Sequence, residues 1–144
     1  MSGPDYHAQT HRPKALGGID PIGPVVLEIK VFSDTTTVTT GDGKFVFAIS
    51  TDLDGCALWK AAAFVSTVSS SGLPTVQIRN ITQAVDMLST RITIDASEFT
   101  SYSAATAPVI NQANALVAEA DLIAVDVDVA GTGAKGLGVI LSFV

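Results

Sequence analysis

The sequence predicts an all-β protein, a β-sandwich of jelly-roll type with seven or eight strands, one short helix and an extended N-terminal arm. Three observations lead to this prediction. Alternation of apolar and polar residues, the period of half-buried strands, recurs from residue 25 onward. Turn residues separate these segments at intervals typical of sandwiches. Helical segments do not alternate regularly with the strands, which disfavours a doubly wound α/β fold.

Residues 1–24 differ in kind from the rest of the chain. They contain four of the six prolines together with four glycines, and proline both fixes φ and lacks an N–H. We therefore predict an extended docking arm over residues 1–24 and a β-sandwich domain over residues 25–144. The arm residues expected to contact a partner are Tyr6, Leu16, Ile19, Pro21, Ile22 and Pro24.

The first half of the folded domain contains four predicted strands. Residues 26–32 alternate between two faces, and residues 35–40 form a β-branched run that suits an exposed strand. The glycine-rich residues 41–43 predict a turn, after which residues 44–50 alternate again. Residues 57–69 are long and apolar. Their alanines suit a helix as well as a strand, and we favour the strand because the segment ends in β-branched residues.

The middle of the domain is less regular. Residues 75–82 alternate cleanly and residues 91–96 alternate once more. The intervening residues 83–90 could form a short helical turn or an irregular crossover. Residues 111–120 are the one convincing helical stretch, since their apolar side chains recur with the spacing of a helix face.

The end of the chain predicts both a central strand and an oligomer. Residues 121–128 and 136–144 are the last two predicted strands. The final strand is apolar on both faces, so we expect it to lie centrally in a sheet or at a subunit contact. The mean hydropathy of the chain is +0.42 with only 15% charged residues, against about 25% in a typical domain. Burial of surface by other subunits explains such a composition, which predicts a homo-oligomer.

The charge balance and the single cysteine exclude several classes. With 8 basic and 14 acidic residues the net charge is −6, so nucleic acid is not an expected partner. Both long uncharged runs, residues 61–78 and 99–118, are interrupted by polar residues and proline. We therefore predict no transmembrane helix and no membrane partner. The first residues lack the apolar core of a secretory signal, and the lone Cys56 fits a reducing cytoplasm.

Two pairs of aspartates are the candidate metal ligands. Asp52 with Asp54 and Asp126 with Asp128 could offer carboxylate oxygens to calcium, but neither pair matches an EF-hand loop. The first pair lies beside Gly55 in a predicted turn, where Asp is favoured for backbone reasons. The second pair lies on one face of a predicted strand, where we expect a solvated acidic surface. We therefore predict no metal site.

We predict no catalytic residue. Both histidines, His7 and His11, lie in the arm, so neither Cys56 nor a serine has a histidine partner within the folded domain. No cysteine or carboxylate cluster accompanies the two histidines as a zinc site would require. Asp95 and Glu98 come nearest to a glycosidase pair, but their spacing does not distinguish them from surface charges.

No cofactor is predicted either, and two aromatic residues remain as candidate ligand contacts. The glycines of residues 131–138 do not lie between a strand and a helix, as those of a nucleotide-binding fingerprint do. Trp59 and Tyr102 could stack on a sugar ring, as aromatic faces do in glycan-binding sites. A core or interface position is the alternative for Trp59.

Four stretches of the chain resemble a known module. Residues 65–80, 86–90, 92–95 and 126–140 are similar to a small β-sandwich found in structural proteins of tailed bacteriophages, in head-decoration and fibre-type contexts. The resemblance covers about residues 28–144 and leaves out the arm. It carries over no catalytic residue.

The resemblance implies a non-enzymatic virion component. It would be made in the host cytoplasm and placed on the capsid surface as a decoration or cement protein. There it would bind the major capsid protein through its β-sandwich oligomer, a trimer in this family, and through its arm. The alternative is a head-fibre or tail-fibre module that recognises a glycan of the host surface.

Overall fold

The described part of the chain, residues 24–144 of a computed structural model, is all-β and contains no α-helix, which confirms the predicted class. Three short 3-10 turns, Thr51–Leu53, Ser101–Ser103 and Gln112–Asn114, are its helical segments. None of these described segments is long and apolar enough to span a membrane. The ten strands are β1 (Val25–Lys30), β2 (Gly41–Ala48), β3 (Leu58–Phe64), β4 (Thr75–Asn80), β5 (Val85–Asp86), β6 (Leu88–Thr90), β7 (Ile92–Thr93), β8 (Val109–Ile110), β9 (Leu122–Val129) and β10 (Gly138–Phe143).

The strands form three antiparallel sheets. The first has the order β1-β10-β3, and the second has the order β2-β9-β4-β5 with β7 also paired to β4. A two-stranded sheet of β6 and β8 accompanies them. β10 and β9 are therefore each paired on both sides. The central position predicted for the last strand is confirmed.

The register of the first sheet gives it two different faces. Val139, Leu141 and Phe143 of β10 point into the core, opposite the alternate residues Ile29 and Leu27 of β1. The other face carries Val26, Glu28 and Lys30 of β1, as their alternation with the apolar residues predicts. This second face is the outer face of the sheet.

The second sheet contributes to the same core. Ile123 and Val125 of β9 and Val76 and Ile78 of β4 are fully buried, and they belong to one hydrophobic cluster with Leu141 of β10. Each such side chain contributes about 1.5–3 kcal/mol by leaving water. A single core thus joins the two main sheets.

The helix predicted over residues 111–120 is wrong. Only a 3-10 turn, Gln112–Asn114, forms there, and the chain that follows is extended. Ala115 and Val117 are buried while Leu116 between them is exposed, which is a period of two. The carbonyl of Ala115 accepts a hydrogen bond from the Leu58 amide at 2.9 Å, and Val117 bonds to residues 55 and 56. Pairing with this neighbouring segment satisfies the backbone and overrides the weak helix propensity.

Three smaller predictions also need correction. Residues 35–40 form no strand, although Thr37 forms an isolated bridge with Lys135 and the Val38 amide donates to the Ala134 carbonyl at 2.9 Å. Residues 41–43, predicted as a turn, begin β2, where the register to β9 shifts between Gly41 and Phe45. Residues 83–90, predicted as a short helical turn or an irregular crossover, begin in a turn and then supply the short strands β5 and β6. These short pairings raise the number of strands from the predicted seven or eight to ten.

A buried carboxylate fixes the turn that leads into β9. Oδ2 of Asp121 accepts hydrogen bonds from Asn80 Nδ2 at 2.9 Å, Gln83 Nε2 at 2.7 Å and the Ala118 amide at 3.0 Å. Burial opposes ionisation of Asp121, but these three hydrogen bonds outweigh it and lower the pKa of the carboxyl. The same turn holds Ala120 at φ 72°, a conformation that disfavours a side chain. Asp121 therefore stabilises a strained turn at the start of a central strand.

We expect Asp121→Asn to lower the free energy of unfolding by about 1–3 kcal/mol at neutral pH. The three N–H donors that bond to Asp121 would then face an uncharged amide, which has one acceptor oxygen and brings an NH₂ donor of its own. Because the pKa of Asp121 is lower in the folded than in the unfolded chain, its ionised carboxylate stabilises the fold fully above pH 3.8, its ordinary pKa. This stabilisation is lost as the pH falls through the pKa of the folded state. We would measure the free energy of unfolding in urea for the variant and the natural chain, at pH 7 and below pH 3.8. The difference in this free energy between the two chains should be smaller at the lower pH.

The matched control is Asp52→Asn, which removes the same charge from an exposed carboxylate. It should leave stability within about 0.5 kcal/mol of the natural chain. Equal losses for the two variants would mean that the Asp121 hydrogen bonds do not hold the turn.

Candidate binding groove

An open groove lies against the outer face of the first sheet, between β3, β10 and the loop of residues 101–110. Its volume is about 260 Å³. Its lining is mainly apolar and aromatic, with two polar side chains. The residues that line it are Trp59, Lys60, Ala61, Ala62, Tyr102, Pro108, Ile110, Ile140 and Ser142.

A β-bulge places Trp59 at the groove. Ser142 of β10 pairs with Lys60 of β3, but the next residue, Phe143, pairs with Leu58. Trp59 is therefore an extra residue in β3, and a bulge of this kind re-aims the side chain that it contains. The Trp59 side chain is 42% exposed although it is apolar.

The opposite wall is a loop that is fixed to β3. The buried hydroxyl of Ser101 accepts a hydrogen bond from the Ala63 amide at 2.9 Å, and Thr100 forms a bridge with Phe64. These bonds hold the 3-10 turn Ser101–Ser103 beside the sheet. Tyr102 projects from this turn and is 72% exposed. The structure thus brings together Trp59 and Tyr102, the two aromatic residues that the sequence proposed for ligand stacking.

The charge next to the aromatic rings is positive. The Lys60 ammonium lies 4.3 Å from the centre of the Trp59 ring, a cation–π contact. On the same outer face, the Lys30 ammonium lies 5.1 Å from the centre of the Phe64 ring. That ring covers Gly138 so closely that a Cβ there would lie 2.3 Å from Phe64 Cζ. Lys60 is the charged residue among those that line the groove.

The outer face of the second sheet is a row of ion pairs. Asp126 accepts two hydrogen bonds from the Arg79 guanidinium, at 2.6 and 3.0 Å, and one from the Gly43 amide at 2.7 Å. The Asp126 bond raises the pKa of Arg79. The predicted solvated acidic face is therefore wrong for Asp126, which is 4% exposed and paired, whereas Asp128 is exposed.

The neighbouring pair on this face is more open to solvent. Arg91 Nε lies 2.7 Å from Asp128 Oδ2, with the two side chains 55% and 33% exposed. Partial burial raises the pKa of the Asp128 carboxyl, and the attraction of Arg91 opposes this shift without cancelling it.

A second, polar cleft of about 420 Å³ lies over β4, β6 and β7. Gln77 at its floor exchanges hydrogen bonds of 3.1 Å with both the amide and the carbonyl of Leu88. Because the polar atoms of Gln77 join β4 to β6, this side chain serves the fold.

The remaining candidate residues are not assembled into a site. Among residues 24–144 no group of three or more His, Cys, Asp or Glu side chains could hold a metal ion. The Asp54 carboxylate accepts a hydrogen bond from the Glu119 amide at 2.8 Å. Asp95 and Glu98 likewise accept bonds from the Ala105 amide and the Ser103 hydroxyl, so both carboxylates fix the same loop. Cys56 is fully buried.

Most of the arm residues lie outside the described part of the chain. This holds for Tyr6, Leu16, Ile19, Pro21 and Ile22, and for both histidines. Pro24 is described, is exposed and directly precedes β1. The docking contacts predicted for these residues therefore stay predictions.

Sequence reasoning did not find Lys60, Pro108 or Ile140 as groove residues. For Ile140 the sequence did offer a signal. Both faces of the last strand are apolar, so an apolar side chain had to lie on its outer face. Pro108 reaches the groove only because its loop folds across the sheet. The periodicity of the sequence gives no information about the path of this loop. No family model, curated protein or solved structure matches this chain.

The two ion pairs on the second sheet should differ in their effect on stability. Arg79→Met leaves the buried Asp126 carboxylate without its guanidinium partner, so we expect a loss of about 3 kcal/mol in urea unfolding. Arg91→Met is the matched control, because that pair is exposed and should contribute about 0–1 kcal/mol. Comparable losses would contradict the structural role assigned to Asp126.

Proposed function

We propose that this protein is a non-enzymatic structural protein that attaches to a larger assembly. The observation that carries this proposal is the aromatic groove on the outer face of the first sheet, next to the strand that the N-terminal segment enters. Trp59, Tyr102 and Val26 on or beside this face are each more than 40% exposed. Exposed apolar side chains grouped on one face are typical of a surface that binds another protein.

The assembly that we propose is the head of a tailed bacteriophage. The resemblance of residues 28–144 to virion modules suggests a capsid decoration or cement protein that binds the major capsid protein and stabilises the shell. The composition supports this role, since a chain with 15% charged residues gains from having much of its surface covered. We propose a homotrimer on the outer capsid surface, reached after synthesis in the host cytoplasm.

The finer description of the fold belongs to the same proposal. Two antiparallel sheets that share one hydrophobic cluster support a β-sandwich. The long connections between strands that pair, such as β1 to β10 and β2 to β9, support the jelly-roll type.

An edge strand offers a second means of attachment. β1 pairs with β10 on one side, and no other described strand pairs with it. An exposed edge can bind an extended segment of a partner by strand addition. The docking arm of residues 1–24 joins the fold at this same strand, so arm and edge would contact one partner.

The alternative is a head-fibre or tail-fibre module that binds a host glycan. The proximity of Trp59 and Tyr102 favours it, because aromatic faces stack on sugar rings. Its groove of about 260 Å³ lies below the roughly 300–1,000 Å³ usual for small-molecule sites, which favours protein side chains as the occupant.

Attachment can be measured by co-sedimentation of the purified chain with phage particles that lack it. We expect the full chain to sediment with the particles and the chain without residues 1–24 to bind at least tenfold more weakly, since it loses the arm contacts. Its far-UV spectrum and melting temperature should stay close to those of the full chain, because the core lies within residues 25–144.

Two controls separate the candidate functions. Arg91→Met changes an exposed ion pair on the other sheet and should sediment like the natural chain. Equal binding with and without the arm would contradict arm docking. Binding to arrayed glycans that disappears in Trp59→Ala, together with no binding to particles, would replace the decoration role with the glycan-binding one.

A further inference from the structure

We propose that the groove is the docking site of the chain's own residues 16–22, which bind it within the same subunit as an extended polyproline II segment. This inference does not depend on the capsid role. It concerns the isolated protein and names what occupies the exposed apolar surface.

The sequence before β1 has an apolar repeat of three residues. Pro13, Leu16, Ile19, Ile22 and Val25 follow one another at this spacing, while glycine, proline and charged residues fill most of the positions between them. A polyproline II helix has three residues per turn, so this spacing aligns the apolar side chains along one edge. The repeat therefore describes a segment with one apolar side.

The groove lies within reach of this segment. Val26 of β1 is opposite Ser142 of β10, and Ser142 is opposite Lys60 of β3, so two strand spacings separate β1 from the groove wall. This distance is about 10 Å. Ile22 precedes Val26 by four residues, which span about 12 Å in a polyproline II helix. Ile22 and Ile19 can therefore reach the groove without disturbing β1.

The lining of the groove matches the chemistry of the segment. Trp59, Tyr102 and Pro108 provide ring surfaces of the kind that bind proline-containing polyproline II segments. The volume of about 260 Å³ suits one or two aliphatic side chains. Asp20 lies between Ile19 and Pro21, and its negative charge complements the Lys60 ammonium beside Trp59.

The short connection favours the same subunit over a neighbour. A tethered segment of this length has an effective concentration in the millimolar range, far above a micromolar protein concentration. The segment would cover the aromatic groove in the free protein. A partner that binds the arm would then expose the groove at the same time.

Trp59 is the only tryptophan of the chain, so its fluorescence reports on the groove. In the full-length protein we expect Ile19→Asp with Ile22→Asp to shift its emission to longer wavelength. Acrylamide quenching should increase roughly twofold as the ring loses its apolar cover. The matched control is Ala8→Asp with Ala15→Asp, which adds the same charges to the arm away from the three-residue repeat. It should leave both signals unchanged.

Two further measurements decide the outcome. A synthetic peptide of residues 13–24, added to the Ile19→Asp/Ile22→Asp chain, should reverse the emission shift, whatever the effect of the substitutions on folding elsewhere. The emission of the natural chain should not change with protein concentration. Identical signals in all chains, or a failure of the peptide to bind, would overturn the proposal. Emission that depends on concentration would also overturn it and would assign the groove to the arm of a second copy.

Discussion

The pairing of β9 and β10 on both of their sides is the constraint on which the rest of the fold depends. Each strand is the centre of one main sheet, and each directs alternate apolar residues into the shared core. Their starting points are fixed by specific features, the Asp121 hydrogen bonds before β9 and the Phe64 ring over Gly138 in β10. A side chain at Gly138 or a lost acceptor at Asp121 would displace a central strand, and with it both of its neighbours.

The same two strands give the molecule two different outer faces. The outer face of β9 carries aspartates that are paired with arginines of neighbouring segments, so its charges are already satisfied. The outer face of β10 carries Gly138, which the Phe64 ring covers, and Ile140 and Ser142, which line the groove beside the loop of residues 101–110. Binding is therefore expected on the first sheet.

The sequence was sufficient for strands whose two faces differ in burial, as the alternation in β1 illustrates. It failed for residues 111–120, where the spacing of apolar residues suits a helix but hydrogen bonds to residues 55–58 hold the chain extended. The groove was only partly predictable. Trp59 and Tyr102 were identifiable as unusual aromatics, but their proximity depends on a bulge in β3 and on the Ser101 bond to β3, which are tertiary features.

Because we propose that the protein decorates a phage head, a cryo-EM map of particles with the chain bound tests the central claim most directly, since it would show which face makes the contact. The account predicts that the outer face of the β1-β10-β3 sheet, with the segment that precedes Pro24, lies against the capsid. The ion-paired face of the second sheet should then point to solvent. Contact through the Arg79 and Asp126 face, with Trp59 and Tyr102 exposed to solvent, would contradict the account.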